Sequence, residues 1–217
     1  MKLLLLGATG LSGRPLISEA LSRSHQITIY GRNPSKLDPS LTSNTNVTII
    51  QGNLDNETSL RSAIHGQDAV LSLLGPMPRH QPNDHVMTDS FKSIFSAMKA
   101  ENVTRFVGTG VPIHLSQDKF SLALWLVQWY VRIFMPNIFR DGVGYTNVVA
   151  TQKDIEWSFF RVMLANSKPK TGKVQLGYAG DGKLSFGFTR REDLAQVMLD
   201  EITERQWIKQ MPYIRTS

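Results

Sequence analysis

The sequence predicts an α/β fold, a doubly wound parallel sheet with helices on both faces, in a single domain spanning residues 1–217. Three observations carry that prediction. Short runs rich in Leu, Val, Ile and Phe alternate with stretches whose apolar residues recur at helical spacing, the order that lays crossover helices on a parallel sheet. The early apolar runs each stop at a glycine or asparagine, where a loop begins. The first of them passes through Gly7, Gly10 and Gly13 straight into a helical pattern. With 217 residues, 41% of them hydrophobic, the chain has enough material for one substantial core and too little for two.

In chain order, Lys2 to Leu6 reads as a fully buried strand and Pro15 to Ser22 ("PLISEALS") as the helix after the glycine turn. "HQITIYGRN" supplies a second strand ending at Gly31, and "VTIIQGNLDN" a third ending at Gly52. "LRSAIHGQ" makes a short helix closed by Gly66, "DAVLSLLGP" a fourth strand, and "VMTDSFKSIFSAMKAENV" a longer amphipathic helix. "TRFVGTG" is the fifth strand. Beyond it lies Gln117 to Met135, which holds the almost wholly apolar "FSLALWLVQWYVRIFM". "WSFFRVML" is a sixth strand, "TRREDLAQVMLDEIT" a helix, "MPYIRTS" a last short strand, and "ANSKPKTGK" an exposed loop. In "FTRREDLA", Thr189 and Glu192 have the spacing of a capping box for the final helix, which leaves Asp193 a structural rather than catalytic part.

Composition narrows the chemistry. There is no cysteine, so disulfides, thiolate nucleophiles and thiolate metal sites are excluded, which fits a cytoplasmic location. The N-terminal leucines fall short of the apolar core of a secretion signal, about 7 to 15 residues, before Gly7 interrupts them. The net charge of +6 is scattered, with local concentrations only at Lys168, Lys170 and Lys173 and at Arg190 and Arg191. No basic tract interleaved with aromatics stands out, so a phosphorylated small ligand is expected rather than nucleic acid.

The turn "GATGLSG" is the first motif with a chemical purpose. After a buried strand, such glycines let the chain reverse, let the backbone approach a pyrophosphate, and let helix and strand pack closely, while the helix N-terminus attracts the phosphates. The expected cofactor contacts here are Gly7, Ala8, Thr9, Gly10, Leu11, Ser12 and Gly13. At the end of the second strand, "YGRNPSK" has Arg32 and Lys36 where a carboxylate would select NAD, which points to NADP(H); the alternative is a pair of ordinary surface cations.

Together "LLLGATGLSG", "GRNPSK", "GNLDN", "DAVLSLLGP", "VTRFVGTG", "EWSFFRV" and "FTRREDLAQVML" resemble the atypical short-chain dehydrogenases of the NmrA-like and flavin reductase/biliverdin reductase B group, Rossmann-type NAD(P)-binding proteins. The resemblance spans nearly the whole chain. It implies that Asn53 and Leu54 hold the adenine, that Leu73, Leu74 and Gly75 line the ribose and nicotinamide side, and that Thr109, Gly110 and Val111 face the nicotinamide. It also implies that residues of about 110–183 shape the substrate pocket.

The catalytic pattern of that group is broken. A serine is absent at "GTGV", leaving Thr109, and the residue four beyond Tyr145 is Val149 rather than the lysine that lowers a tyrosine pKa. Arg161 is kept, but Val162 replaces the usual proline, and Leu164 stands where flavin-reducing relatives have histidine. Thr109, Tyr145 and His114 remain as candidate acids, with Tyr145 alternatively a packing residue. His80, Asp84 and His85 lie in a loop beyond the fourth strand that reads as solvated; two histidines without a third ligand make no metal site, and none is expected.

The aromatic stretch is too short and too interrupted by Gln128, Arg132 and Pro136 for the roughly 20 apolar residues of a membrane span. Its aromatics are expected to form a core or pocket wall, with a homodimer contact or a membrane surface as the other readings. The expected activity is an NADPH-dependent oxidoreductase that reduces a carbonyl, enone or quinone-like group of an apolar, aromatic small molecule. The resemblance adds tailoring enzymes of fungal secondary metabolism as a source of such substrates. Two alternatives stand: a non-redox isomerase or dehydratase on the same scaffold, and a redox-sensing regulator that binds NADP without turnover.

Overall fold

A computed structural model describes residues 1–76, 85–180 and 187–216. The strands are β1 (Lys2–Leu6), β2 (Gln26–Gly31), β3 (Val47–Gln51), β4 (Ala69–Ser72), β5 (Arg105–Gly110), β6 (Glu156–Val162), β7 (Leu164–Asn166), β8 (Val174–Gly177), β9 (Phe188–Arg190) and β10 (Tyr213–Thr216). The helices are α1 (Gly13–Ser22), α2 (Glu57–Ile64), α3 (Val86–Ala100), α4 (Leu122–Phe134), α5 (Pro136–Ala150) and α6 (Arg191–Glu204). Among the described residues the main sheet runs β3-β2-β1-β4-β5-β6-β10-β8, parallel except for β8, which pairs antiparallel with β10.

The leucine run shows why a parallel strand is apolar throughout. Leu4 and Leu6 join the core beneath α2, α3 and α5, while Leu3 and Leu5 join the core beneath α1 and α6. Both faces of β1 are covered from Leu3 to Leu6, so those four positions are all apolar, and only Lys2, at the exposed start of the strand, is polar. The strand order reverses between β1 and β4, which opens a crevice beyond their carboxyl ends, the place where such sheets bind ligands.

Four features differ from the sequence expectations or go beyond them. Helix α5 was not anticipated: Pro136 opens it and two glycines interrupt its pattern. A side chain at one of these, Gly144, would come within 2.3 Å of the Thr88 hydroxyl of α3, so the small residue serves helix packing. The sixth strand stops at Val162, and Leu164–Asn166 instead pairs with β9 in a separate two-stranded sheet. The capping box does not form. Thr189 lies inside β9, where its Oγ1 donates to the Ile214 carbonyl at 2.8 Å; Arg190 holds the cap position without a side-chain cap, and Glu192 accepts the N–H of Lys170. Lastly, β8 borders β10 within the segment whose sequence carried no strand signal.

Candidate functional site

The glycine turn is built as its spacing requires. Gly7 has φ +76°, a left-handed conformation that suits glycine, and a side chain there would press on the carbonyl carbon of Leu73 at 2.9 Å. Gly13, at the first turn of α1, admits no side chain at all: a Cβ would lie 1.8 Å from the Ala8 oxygen. The hydroxyl of Ser12 makes no bond to the helix it precedes. Gly10 and Leu11 are exposed above the buried strand, so the turn presents its backbone outward.

A cavity of about 460 Å³ opens against this turn at the carboxyl ends of β1, β2 and β4. It gathers Gly7, Thr9, Gly10, Arg32, Asn53, Leu54, Leu73, Leu74 and Gly75, residues drawn from four separate stretches of sequence. Lys36 falls elsewhere: with Ala8 and Arg14 it borders a second hollow of about 430 Å³, between α1 and the β2–β3 connection. Arg32 and Lys36 are both exposed, and neither forms an ion pair with a described residue. Leu11, Ser12, Gly13, Thr109 and Gly110 line neither cavity.

Two contributors went unrecognised in the sequence. Tyr30 is buried and its hydroxyl donates to the Asn53 carbonyl at 2.8 Å, which fixes the turn after β3 beside the cavity. The first turn of α3, whose Val86, Met87 and Ser90 line the opposite wall, is held by Asp141 of α5. That carboxylate is wholly buried and accepts the N–H groups of Met87 and Thr88, each at 2.8 Å, and the Thr88 hydroxyl at 2.7 Å. It supplies the negative partner that an N-terminal helix turn favours. Its ligands lie more than fifty residues away in sequence, so no local pattern announces them.

The candidate acids are dispersed. Tyr145 is wholly buried, stacked on Phe91 with ring centroids 5.1 Å apart, and its hydroxyl accepts the Val111 N–H at 3.0 Å. Burial pushes that phenol well above its ordinary range, which suits a core residue and not a proton donor. Thr109 is also buried, its hydroxyl directed to the Ser72 carbonyl at 3.4 Å. His114 is half-exposed and stands 4.0 Å from Asp118, whose carboxylate is already committed. Asp118 pairs with the buried Arg161, which also donates to the Ile113 and Met211 carbonyls and lies 3.7 Å over the Tyr213 ring. Burial raises the Tyr213 phenol to about 12. Arg161 thus organises the 111–118 segment beside β6 rather than facing open space. Of the loop candidates, His80 and Asp84 lie outside the described residues, and His85 stands at the cap position of α3. Among the described residues no cluster of three potential metal ligands occurs.

The fold and the crevice define a dinucleotide-binding α/β protein. A family described as NAD(P)H-binding matches residues 7–205, and the chain belongs to it; it fits the atypical short-chain dehydrogenases of the NmrA-like group that its motifs resemble. Among curated relatives, phenylcoumaran benzylic ether reductase 1 of Arabidopsis thaliana is 25% identical over 228 residues, covering 99% of this chain and 68% of the relative. The uncharacterised protein YwnB of Bacillus subtilis is 24% identical over 212 residues, covering 93% of this chain and 92% of that one. In three dimensions the chain superposes on a short-chain dehydrogenase/reductase from Veillonella parvula, solved in complex with NADP, with a TM-score of 0.82 at 20% identity, covering 99% and 94% of the two chains.

Proposed function

We propose that this protein is an NADPH-dependent oxidoreductase that reduces a carbonyl, enone or quinone-like group on an apolar, aromatic small molecule. The observation that carries the reading is the exposed guanidinium of Arg32 at the rim of the crevice beside the glycine turn, where none of the described lining residues is a carboxylate. Arg32 would hold the 2′-phosphate. The outward backbone of Gly7 to Gly13 would cradle the pyrophosphate, and Asn53 and Leu54 the adenine. Lys36, which borders the neighbouring hollow, would add long-range attraction for the phosphate rather than contact. When bound, the nicotinamide supplies the hydride; the chain orients it and keeps water out. The reductase name of the Arabidopsis relative and the NADP of the Veillonella structure support this reading.

The test is a pair of titrations. Arg32→Asp is expected to weaken NADPH binding by roughly 1.5 to 3 kcal/mol, the range for a charge-assisted bond, and to leave NADH binding nearly unchanged. Equal losses for both nucleotides would contradict the 2′-phosphate assignment.

One observation favours a second reading, that the nucleotide is held while the substrate is rearranged without net redox. With Tyr145 sealed in the core, the acids left to a reductase are Thr109, His114 and solvent. Product formed as well with NADP⁺ as with NADPH would establish it.

A further inference from the structure

Helix α4 has the chemistry of a core helix and the position of a surface one. Leu122, Leu126, Trp129 and Ile133 follow one another at four- and three-residue steps, and Trp125 and Tyr130 flank them, so the six share one broad face. Each is about half or more exposed. The single buried residue of α4 is Leu124, on the opposite side of the helix, where it packs with Tyr213, Ala179 and Met163. Of the twelve large apolar residues exposed among the described ones, eight fall within residues 120–134, so the open apolar surface is gathered in one patch and not scattered as on an ordinary monomer.

The size of the patch points to its occupant. Aromatic side chains present about 150–250 Å² each, so the five in that segment at these exposures, with three aliphatics beside them, leave on the order of 900 Å² open. A stable interface of standard size buries about 800 Å² on each partner. Its make-up fits as well, since interfaces between identical chains are depleted of charge at their centre and enriched in aromatics. Residues 120–131 hold no charged residue at all. Arg132 comes one position before Ile133, about 100° round the helix from it, at the margin where an interface has its polar rim. A two-fold axis therefore sets the face against its own image without opposing like charges at the centre, and nothing inside the face carries the charge pattern that would select a foreign partner. The rings of Tyr130 and Phe134 already pack at 4.8 Å between centroids, which reduces the ordering that association costs.

Lipid is the poorer match. A helix that lies in a bilayer surface carries Lys and Arg along a polar side. Helix α4 has one cation, and its half-buried flank is Val127, Gln128 and Val131. Among the described residues no single helix is long and apolar enough to cross a membrane, and α4 and α5 reach the required apolarity only together, bent by 117°.

We propose that α4 forms the centre of a two-fold interface with a second copy of this chain, Leu126, Trp129 and Ile133 at its middle and Arg132 at its rim. This holds whatever reaction the crevice serves.

The experiment is sedimentation equilibrium of the full chain, free of detergent and lipid, from nanomolar to micromolar concentration. The expected result is a reversible dimer of twice the 24.4 kDa chain mass. The melting temperature should rise with protein concentration, since association favours the folded chain alone. The double variant Trp125→Ser with Trp129→Ser is expected to raise the dissociation constant roughly tenfold or more, given the apolar area withdrawn. Leu126→Glu, which puts two like charges into an apolar interface, is expected to raise it as well. Both variants should keep the circular dichroism of the wild-type chain, which shows that they fold, and lose the concentration dependence of melting. Three results would overturn the proposal: a folded wild-type chain that stays monomeric throughout the range, a dimer whose dissociation constant neither variant moves, or a monomer that sediments with phosphatidylserine vesicles unless Trp125 and Trp129 are replaced.

Discussion

Gly13 and Gly10 belong to one motif yet face different constraints. A methyl group at Gly13 would drive into the Ala8 oxygen, which is backbone and cannot swing aside, whereas at Gly10 it would stand 3.3 Å from the Gly7 oxygen. Gly13→Ala is therefore expected to cost about 3 kcal/mol or more, as overpacking against main chain does, and to abolish nucleotide binding with the turn. Gly10→Ala should leave the urea midpoint nearly where it is and impair only NADPH affinity, by crowding the approach to the pyrophosphate. Urea unfolding and a fluorescence titration of the two variants separate the roles. Equal destabilisation by both would show that the turn is not built this way. The motif was legible because everything it needs lies within seven residues. That Arg32 would stand at the crevice rim was legible for the same reason, being fixed by the end of a recognisable strand. That Lys36 would border the neighbouring hollow was not, since the β2–β3 connection folds it towards α1, a matter of three-dimensional packing.

At the level of elements, the crevice is bounded by α3, and α3 is positioned by α5. Asp141 alone satisfies two orphan N–H groups and a hydroxyl in that first turn. Asp141→Ala is expected to destabilise the protein by about 3 kcal/mol, because buried donors would lose their acceptor, and to weaken NADPH binding through the displaced wall. Asp141→Asn keeps an oxygen and should recover part of both losses. A stability loss without any effect on binding would separate α3 from the site. Strands β1 to β6 and helices α1, α2, α3 and α6 were legible as elements, since each carries its own period of apolar residues. Helix α5 was not, because its Gly144 answers Thr88 of α3 and its polar Asp141 points inward; both are choices made by a partner remote in sequence. The same holds for Asp118 and Arg161, which meet across 43 residues.

For the whole molecule, three groups that titrate on the acid side, His25, Glu101 and Asp38, are all shifted downwards. His25 is lowered by burial and by the nearby N-terminal ammonium and Arg23, so the folded state resists a proton that the unfolded chain takes up below about pH 6.5. Glu101 is lowered by its hydrogen bonds to His65 and Arg61, and Asp38 by those from Ser40; both favour the folded state while ionised and lose that advantage as pH falls below their ordinary values. Stability should thus decline in two stages on acidification, a shallow one beginning below pH about 6.5 and a steeper one below about 4.5. Urea midpoints across that range would reveal it, and His25→Gln should remove the first stage alone. A midpoint that rises on acidification would contradict both assignments.

The order of the sheet also sets a timetable. Strand β6 carries Trp157, Phe159 and Phe160 and borders β10, whose first residue, Tyr213, comes 51 positions after the last of β6, Val162. At the usual pace of synthesis that interval is roughly 3 to 10 s. Throughout it the ribosome holds out a sheet whose open rim is aromatic and ready to accept any strand that arrives. The final strand closes that rim on one side and receives β8 on the other, so nascent chains stalled before Tyr213 would be the ones that aggregate and the ones that chaperones must shield.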